Sequence, residues 1–295
     1  MRLFRLLLAA GAGLLGLLAC ARPTPAPAVF DGQRAYTWVE QQCALGPRVT
    51  GSPARDAALQ LLRDTLEAQG WTVEEQAFDY RGVTVRNLLA WRGEGPAVLL
   101  GAHYDSRAAA DQEDPTRPVP GANDGASGVA VLLELARVLD LDWGQRRVYL
   151  AFFDAEDNGE LQAWPWSVGA EAMAADWEAR GYSPLEQVVV VDMVGDADLQ
   201  LYFDAHSDPE LRAALWTLAA ELGYSAFIPQ VKYAMIDDHL PFARRGIPAV
   251  DIIDFDYPYW HTTQDTPDKV APASLEAVGR VLETWLERGA PRSTP

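Results

Sequence analysis

The feature that most limits what this chain can fold into is a repeating alternation of short, wholly apolar runs with longer stretches of helical period. The runs are Val98-Leu99-Leu100-Gly101, Val148–Phe153, Val188–Val191 and Ala249–Ile253. None shows the apolar-polar alternation of a strand with one wet face, so each suits a strand buried on both sides. Helical periods cover about Gly125–Leu139, Val168–Arg180, Asp208–Leu222 and Leu275–Arg288. Strands alternating with helices predict an α/β fold: a single domain with a mostly parallel central sheet and helices on both faces. An apolar content of 49% and a charged content of 22% over 295 residues are those of a globular chain with a sizeable core.

Ahead of this pattern, a helix is expected from near Asp31. A second begins at Ser52-Pro53, a capping residue followed by proline, and runs through Leu59, Leu62 and Leu66 to Gly70. Strands are expected at Trp71–Phe78 and Val83–Trp91, and an irregular, proline-bearing loop at 106–120. The domain so defined spans residues 31–290, with a short tail at 291–295.

The N-terminus reads as a targeting segment. Arg2 and Arg5 precede an apolar run from Leu6 to Leu18, too short to span a bilayer comfortably and shaped like an export signal. It ends in Leu17-Leu18-Ala19-Cys20, which resembles the lipobox of bacterial lipoproteins. That resemblance implies a signal peptide over 1–20, a lipid on Cys20 and residence in the bacterial cell envelope; plain secretion is the alternative. Residues 21–30 then form a Pro/Ala-rich tether. The fingerprint Gly11-x-Gly13-x-x-Gly16 falls inside the signal with no preceding strand, and is discounted as a dinucleotide site. With Cys20 lipidated, Cys43 is left without a disulfide partner. A formal charge of −18 argues against nucleic acid or an anionic membrane surface as a partner, so membrane contact is expected only through Cys20.

The chemistry gathers at the carboxyl ends of the predicted strands, where open α/β sheets bind their ligands. His103 and Asp105 follow the Val98 strand, Glu156 and Asp157 the Val148 strand, Asp192 the Val188 strand and His261 the Ala249 strand. Asp124 lies in a glycine-rich turn opening a helix, where the helix dipole favours a carboxylate. Converging without a cation, Asp124, Glu156, Asp157 and Asp192 would repel one another. Two imidazoles with three carboxylates suit zinc better than calcium, which prefers oxygen alone. Five ligands fit two ions sharing a bridging carboxylate, with Asp124 the natural bridge, and Glu156 beside them is a free acid suited to a general base.

These residues resemble a known group: the co-catalytic zinc aminopeptidases and their relatives, the animal-type glutaminyl cyclases, of metallopeptidase family twenty-eight. The carrying motifs are GAHYDSR, PGANDGASGVAVLLELARVL, FFDAED, VVDMVG, DDHLPFARRGIPA and YWHTTQDTPD, spread from about Gly46 to Leu286. The resemblance implies a zinc-exopeptidase-like fold, with His103 and Asp192 on one zinc, Asp157 and His261 on the other, and Asp124 between them. It makes Glu156 the base, Asp105 the group that orients His103, and Asp124-Gly125 a cis peptide. The chain departs from the aminopeptidase pattern where Glu156-Asp157 replaces two glutamates and Gly169-Ala170 replaces Gly-Ser.

Both activities act on the free N-terminus of a peptide or protein. The aminopeptidase cleaves the first peptide bond with zinc-activated water, whereas the cyclase closes an N-terminal glutamine to pyroglutamate and releases ammonia. The cyclases keep all five positions yet usually hold one zinc, on Asp124, Asp157 and His261, so one or two ions are expected. Trp260 before His261 resembles the cyclase indole that packs on the substrate side chain. Asp237 of the Asp237-Asp238 pair resembles the acid that joins Glu156 and Asp192 in a proton relay. Against this, Trp164 and Trp166 match no cyclase position cleanly, and Asp251 stands where cyclases carry histidine. The balance favours the cyclase, with the aminopeptidase as alternative; a lipid-tethered binding module without catalysis is a third reading. His206 is expected in an exposed turn, and His239 to hold a loop together.

Overall fold

The computed structural model describes residues 29–139, 141 and 146–292. The signal peptide, Cys20, the tether up to residue 28 and the last three residues of the tail lie outside the described residues.

Six strands form one sheet in the order β1-β2-β4-β3-β5-β8. They are β1 (Thr72–Tyr80), β2 (Val83–Arg92), β3 (Ala97–His103), β4 (Arg147–Phe153), β5 (Leu185–Asp192) and β8 (Ala249–Ile253). The four strands β4, β3, β5 and β8 run parallel, and β1 and β2 extend the sheet as an antiparallel hairpin. The wholly apolar runs are the four parallel strands, as two-sided burial requires: every residue of β3 is buried. Successive side chains of β3 enter different cores. Val98, Leu100 and Ala102 join one with helices α1 (Gly32–Ala44), α2 (Pro53–Ala68), α3 (Ala126–Val138), α5 (Pro209–Glu221) and α7 (Pro272–Glu287). Ala97 and Leu99 join the other, with α4 (Val168–Asp176) and the short α6 (Leu240–Ala243). Helices therefore cover both faces.

Local signals act where expected. Asp31 caps α1 by accepting from Gln33 and Arg34 N–H, and Ser52 caps α2, with Pro53 at its first position. Helix α4 stops at Asp176, short of the expected Arg180: the chain turns there, Trp177 tucks its indole N–H onto Ser183 O, and Gly181 takes a φ of 75°. A two-stranded sheet of β6 (Leu201–Asp204) and β7 (Phe227–Tyr233) has no counterpart in the sequence reading. β6 is four residues long and β7 carries Pro229, so neither has a strand's usual signature.

The topology locates the crevice. β3 leads through α3 to β4 on one side, while β5 leads towards β8 on the other. Outgoing connections therefore diverge between β3 and β5, and the gap at their carboxyl ends is left open, as at the switch point of other α/β sheets.

Candidate metal centre

His103 is the last residue of β3 and Asp192 the last of β5, so the divergence point carries one candidate ligand on each side. The structure brings all five together in two groups that share Asp124. His103, Asp124 and Asp192 offer ligand atoms within 4.8 Å of one another, and so do Asp124, Asp157 and His261. His103 Nε2 lies 3.2 Å from Asp124 Oδ1 and 3.1 Å from Asp192 Oδ1. His261 Nε2 lies 3.2 Å from Asp157 Oδ1 and 3.9 Å from Asp124 Oδ2. Asp124 thus presents one carboxylate oxygen to each group, as a bridging ligand must.

Four ligands at about 2.0–2.2 Å from a tetrahedral ion stand roughly 3.3–3.6 Å from each other. The distances here, 3.1 to 3.9 Å, straddle that range, so small side-chain shifts would close both groups on zinc. The buried atoms His261 Nε2, Asp124 Oδ2 and Asp157 Oδ2 have no hydrogen-bond partner among the described residues, and a cation would satisfy all three. Without one, the electrostatics are adverse. Burial, with Asp124 nearby, pushes Asp157 up to about 6; burial, with Asp237 and Asp124 nearby, pushes Asp192 to about 7 despite His103. Burial would lower His103, but Asp192, Asp105 and Asp124 hold it well above its ordinary range.

Surrounding residues position the ligands. The fully buried Asp105 lies with Oδ1 3.5 Å from His103 Nδ1, in ion-pair range without a hydrogen bond. It has a second task that spacing did not reveal: its carboxylate accepts the backbone N–H groups of Glu156 and Asp157, each at 3.2 Å. One side chain therefore ties the end of β3 to the turn after β4. That turn is left-handed at Ala155 (φ 59°), and Met193 (φ 46°) and His261 (φ 56°) are left-handed too. Non-glycine residues rarely adopt this region, and such strain gathers at functional sites.

The turn before α3 does not contain the expected cis peptide. No cis bond occurs among the described residues, so Asp124-Gly125 is trans. Gly125 makes the turn with a φ of 91°, and a Cβ there would come within 2.6 Å of Asp105 O and 3.1 Å of the His103 ring. Only glycine permits this approach. Asp265 holds the same turn from outside, accepting Asn123 N–H at 2.8 Å and Asp124 N–H at 3.1 Å.

Glu156, Asp192 and Asp237 line one cavity of about 180 Å³ together with Asp124, Asp157 and His261. Burial, with Asp237 and Asp238 nearby, pushes the Glu156 carboxyl well above its ordinary range, partly opposed by His103. A carboxyl so placed holds a proton more readily than an ordinary glutamate, as suits a proton shuttle. Trp260 also lines the cavity, its ring 3.6 Å from that of His261 and tilted by 24°.

Several residues of the site escaped the sequence reading. Trp166 lines the cavity and lies nearly parallel to His261 at 6.0 Å, whereas Trp164 packs against Tyr80 outside it. Gly159 makes room for Trp166, since a Cβ there would overlap the indole at 1.9 Å. The long loop after β3 supplies Asp111, whose Oδ1 meets His261 Nδ1 at 3.0 Å, and Arg107, which bonds Asp157 O and Gly159 O and lies over Trp166. Loop residues with no period offer no signal for such pairings. His206 is exposed, as expected, with Nδ1 2.7 Å from Met235 O. His239 is fully buried beside Asp204, 3.3 Å away, and Asp251, 3.8 Å away, joining α6 to β6 and β8.

The model of Peptidase family M28 matches residues 88–286. A glutaminyl-peptide cyclotransferase of Boiga dendrophila is 27% identical over 288 residues, covering 81% of this chain and 76% of its own. The crystal structure of Porphyromonas gingivalis glutaminyl cyclase superposes with a TM-score of 0.83 and 32% identity, covering 89% of this chain and 99% of that one. A leucine aminopeptidase precursor from Bacteroides thetaiotaomicron follows with a TM-score of 0.82 and 31% identity, covering 88% and 97%.

Proposed function

The chain belongs to peptidase family M28, and on that premise we propose that it is a zinc-dependent glutaminyl-peptide cyclotransferase acting on the free N-terminus of peptides. The observation that carries the reading is the pair of ligand groups joined through Asp124, with the buried acid Glu156 beside them in one small cavity. Asp124, Asp157 and His261 would hold the zinc, and His103 with Asp192 offers room for a second ion. An ion held there would supply a Lewis acid for the side-chain amide of the N-terminal glutamine. Glu156 takes a proton from the peptide's amine as that nitrogen attacks the amide carbon. It returns the proton to the departing nitrogen, so that the carbon–nitrogen bond breaks, ammonia leaves and a lactam ring remains. Asp237 and Asp192 line the same cavity, and burial with Asp237 and Asp238 nearby favours a proton on Glu156. Trp260 and Trp166 give the small substrate side chain flat apolar walls and exclude water.

The second reading is an aminopeptidase, supported by the likeness to the leucine aminopeptidase precursor; the five ligand positions serve either activity. Two peptides separate them. Loss of ammonia from a Gln-initiated peptide, followed by mass, supports the cyclase; release of free leucine from a Leu-initiated one supports the aminopeptidase. We further propose that the mature protein is exported and carries a lipid on Cys20, a reading supported by the LLAC motif and the apolar run before it.

A further inference from the structure

The loop after β3 grips His261 from outside the metal cavity. His261 turns Nε2 towards Asp157 and Asp124. An imidazole that binds metal through Nε2 carries its proton on Nδ1, and Asp111 Oδ1 stands 3.0 Å from that nitrogen to accept it. Three consecutive loop residues hold the same segment. Asp111 takes the ring, and Gln112 N–H donates to His261 O at 3.3 Å. Glu113 accepts from Thr263 N–H at 2.8 Å and from the Thr263 hydroxyl at 2.6 Å. The backbone so held is left-handed at His261, with a φ of 56°, a conformation that a non-glycine residue keeps only when its surroundings over-determine it.

Arg107 supplies the anchor. Its Nε and one terminal nitrogen hold both oxygens of Asp111, at 3.1 and 2.5 Å. Its other terminal nitrogen donates to Asp157 O and Gly159 O, each at 3.1 Å. One buried guanidinium therefore ties the carboxylate that faces His261 to the backbone of its neighbouring ligand Asp157. Asp111 and Glu113 lie at the surface, so their part in this arrangement is separable from the core.

Resting on the metal centre described above, we propose that residues 107–113 form a strap that governs how tightly the centre keeps its ion, with Asp111 the positioning residue that fixes the tautomer and ring orientation of His261. Zinc affinity and spectroscopy test this without turnover, so the choice between cyclase and aminopeptidase does not enter. Asp111→Ala should weaken zinc, measured against a chromogenic chelator, roughly 10–100-fold, and Asp111→Asn, whose amide oxygen can still accept, by less. Glu113→Ala, at an exposed residue that touches no ligand, should quicken zinc loss to the chelator roughly threefold, one exposed hydrogen bond's worth, with the melting of metal-free protein unchanged. In zinc-loaded protein carrying nitrogen-15 histidine, the His261 Nδ1–H resonance, identified by its absence in H261A, should exchange slowly with water in wild type and rapidly in D111A. A merely structural role for the loop would leave that resonance in place. Zinc affinity within twofold of wild type in D111A, or a His261 Nδ1–H as protected there as in wild type, overturns the proposal. Wild-type protein that binds no zinc at all refutes the metal centre, and the strap with it.

Discussion

Replacing Asp105 with asparagine should damage both the fold and the metal site, by amounts that follow from its contacts. The carboxylate is fully buried and accepts from the N–H groups of Glu156 and Asp157 and the Thr50 hydroxyl at 3.4 Å, with His103 Nδ1 3.5 Å away. An amide keeps one acceptor and turns an NH2 towards at least one of these donors. The less costly orientation places the NH2 at Oδ2, because Thr50 can still bond Asp154, 3.0 Å away. Asp157 N–H is then stranded in the interior. A buried donor left unpaired costs about 1–3 kcal/mol. For a chain of this size that lowers the melting temperature by roughly 2–12 °C. Asp157 is itself a candidate ligand, and His103 loses part of its orienting partner, so zinc affinity should fall roughly 10–100-fold. Melting of metal-free protein by calorimetry, and zinc competition against a chromogenic chelator, measure the two effects. Wild-type melting and zinc affinity within twofold in D105N would refute the reasoning and leave Asp105 as mere filler.

Glu156→Gln should lower kcat by roughly 10²–10⁴-fold while zinc content stays unchanged; near-normal turnover would mean that another group moves the proton. Asp124→Ala removes the one residue common to both ligand groups and should leave purified protein without stoichiometric zinc by elemental analysis. Metal-free protein should be more stable at pH 5 than at pH 8. Burial and neighbouring acids raise Asp157 to about 6 and Asp192 and Asp265 to about 7, so the native state holds these protons more tightly than the unfolded chain. Their contribution is full below the ordinary carboxylate pKa of about 4 and is lost as pH rises through the folded values. Zinc should accordingly raise the melting temperature more at pH 8 than at pH 5, and the reverse order would contradict the carboxylate argument. Cys20→Ser should move the expressed protein from the membrane fraction to the soluble one, with an unchanged distribution counting against a lipid anchor.

Much of this molecule is written locally. The apolar runs specify buried parallel strands because each is only four to six residues long, too short for a helix, and helical periods lie between them. Ser52-Pro53 and Asp31 mark helix starts through hydrogen bonds made within three residues. Four of the five candidate ligands were legible because each ends or follows a strand, and parallel strands share one carboxyl edge; Asp124 was legible from the glycine-rich turn that opens a helix. What the chain does not write locally is which distant groups meet there. Trp166 faces the cavity and Trp164 does not, although only Pro165 separates them, because Gly159 leaves a gap for one indole only. Asp111 reaches His261 across 150 positions of sequence, and Asp105 binds the backbone of another strand's turn. Gly125 resolves its tight turn through a positive φ, a choice made by the crowding of Asp105 O and His103. Strand burial and end position are properties of short segments, so sequence alone determined the sheet and the carboxylates at its rim. Pairings across the crevice depend on the relative placement of whole elements, and only the packed tertiary structure decided them.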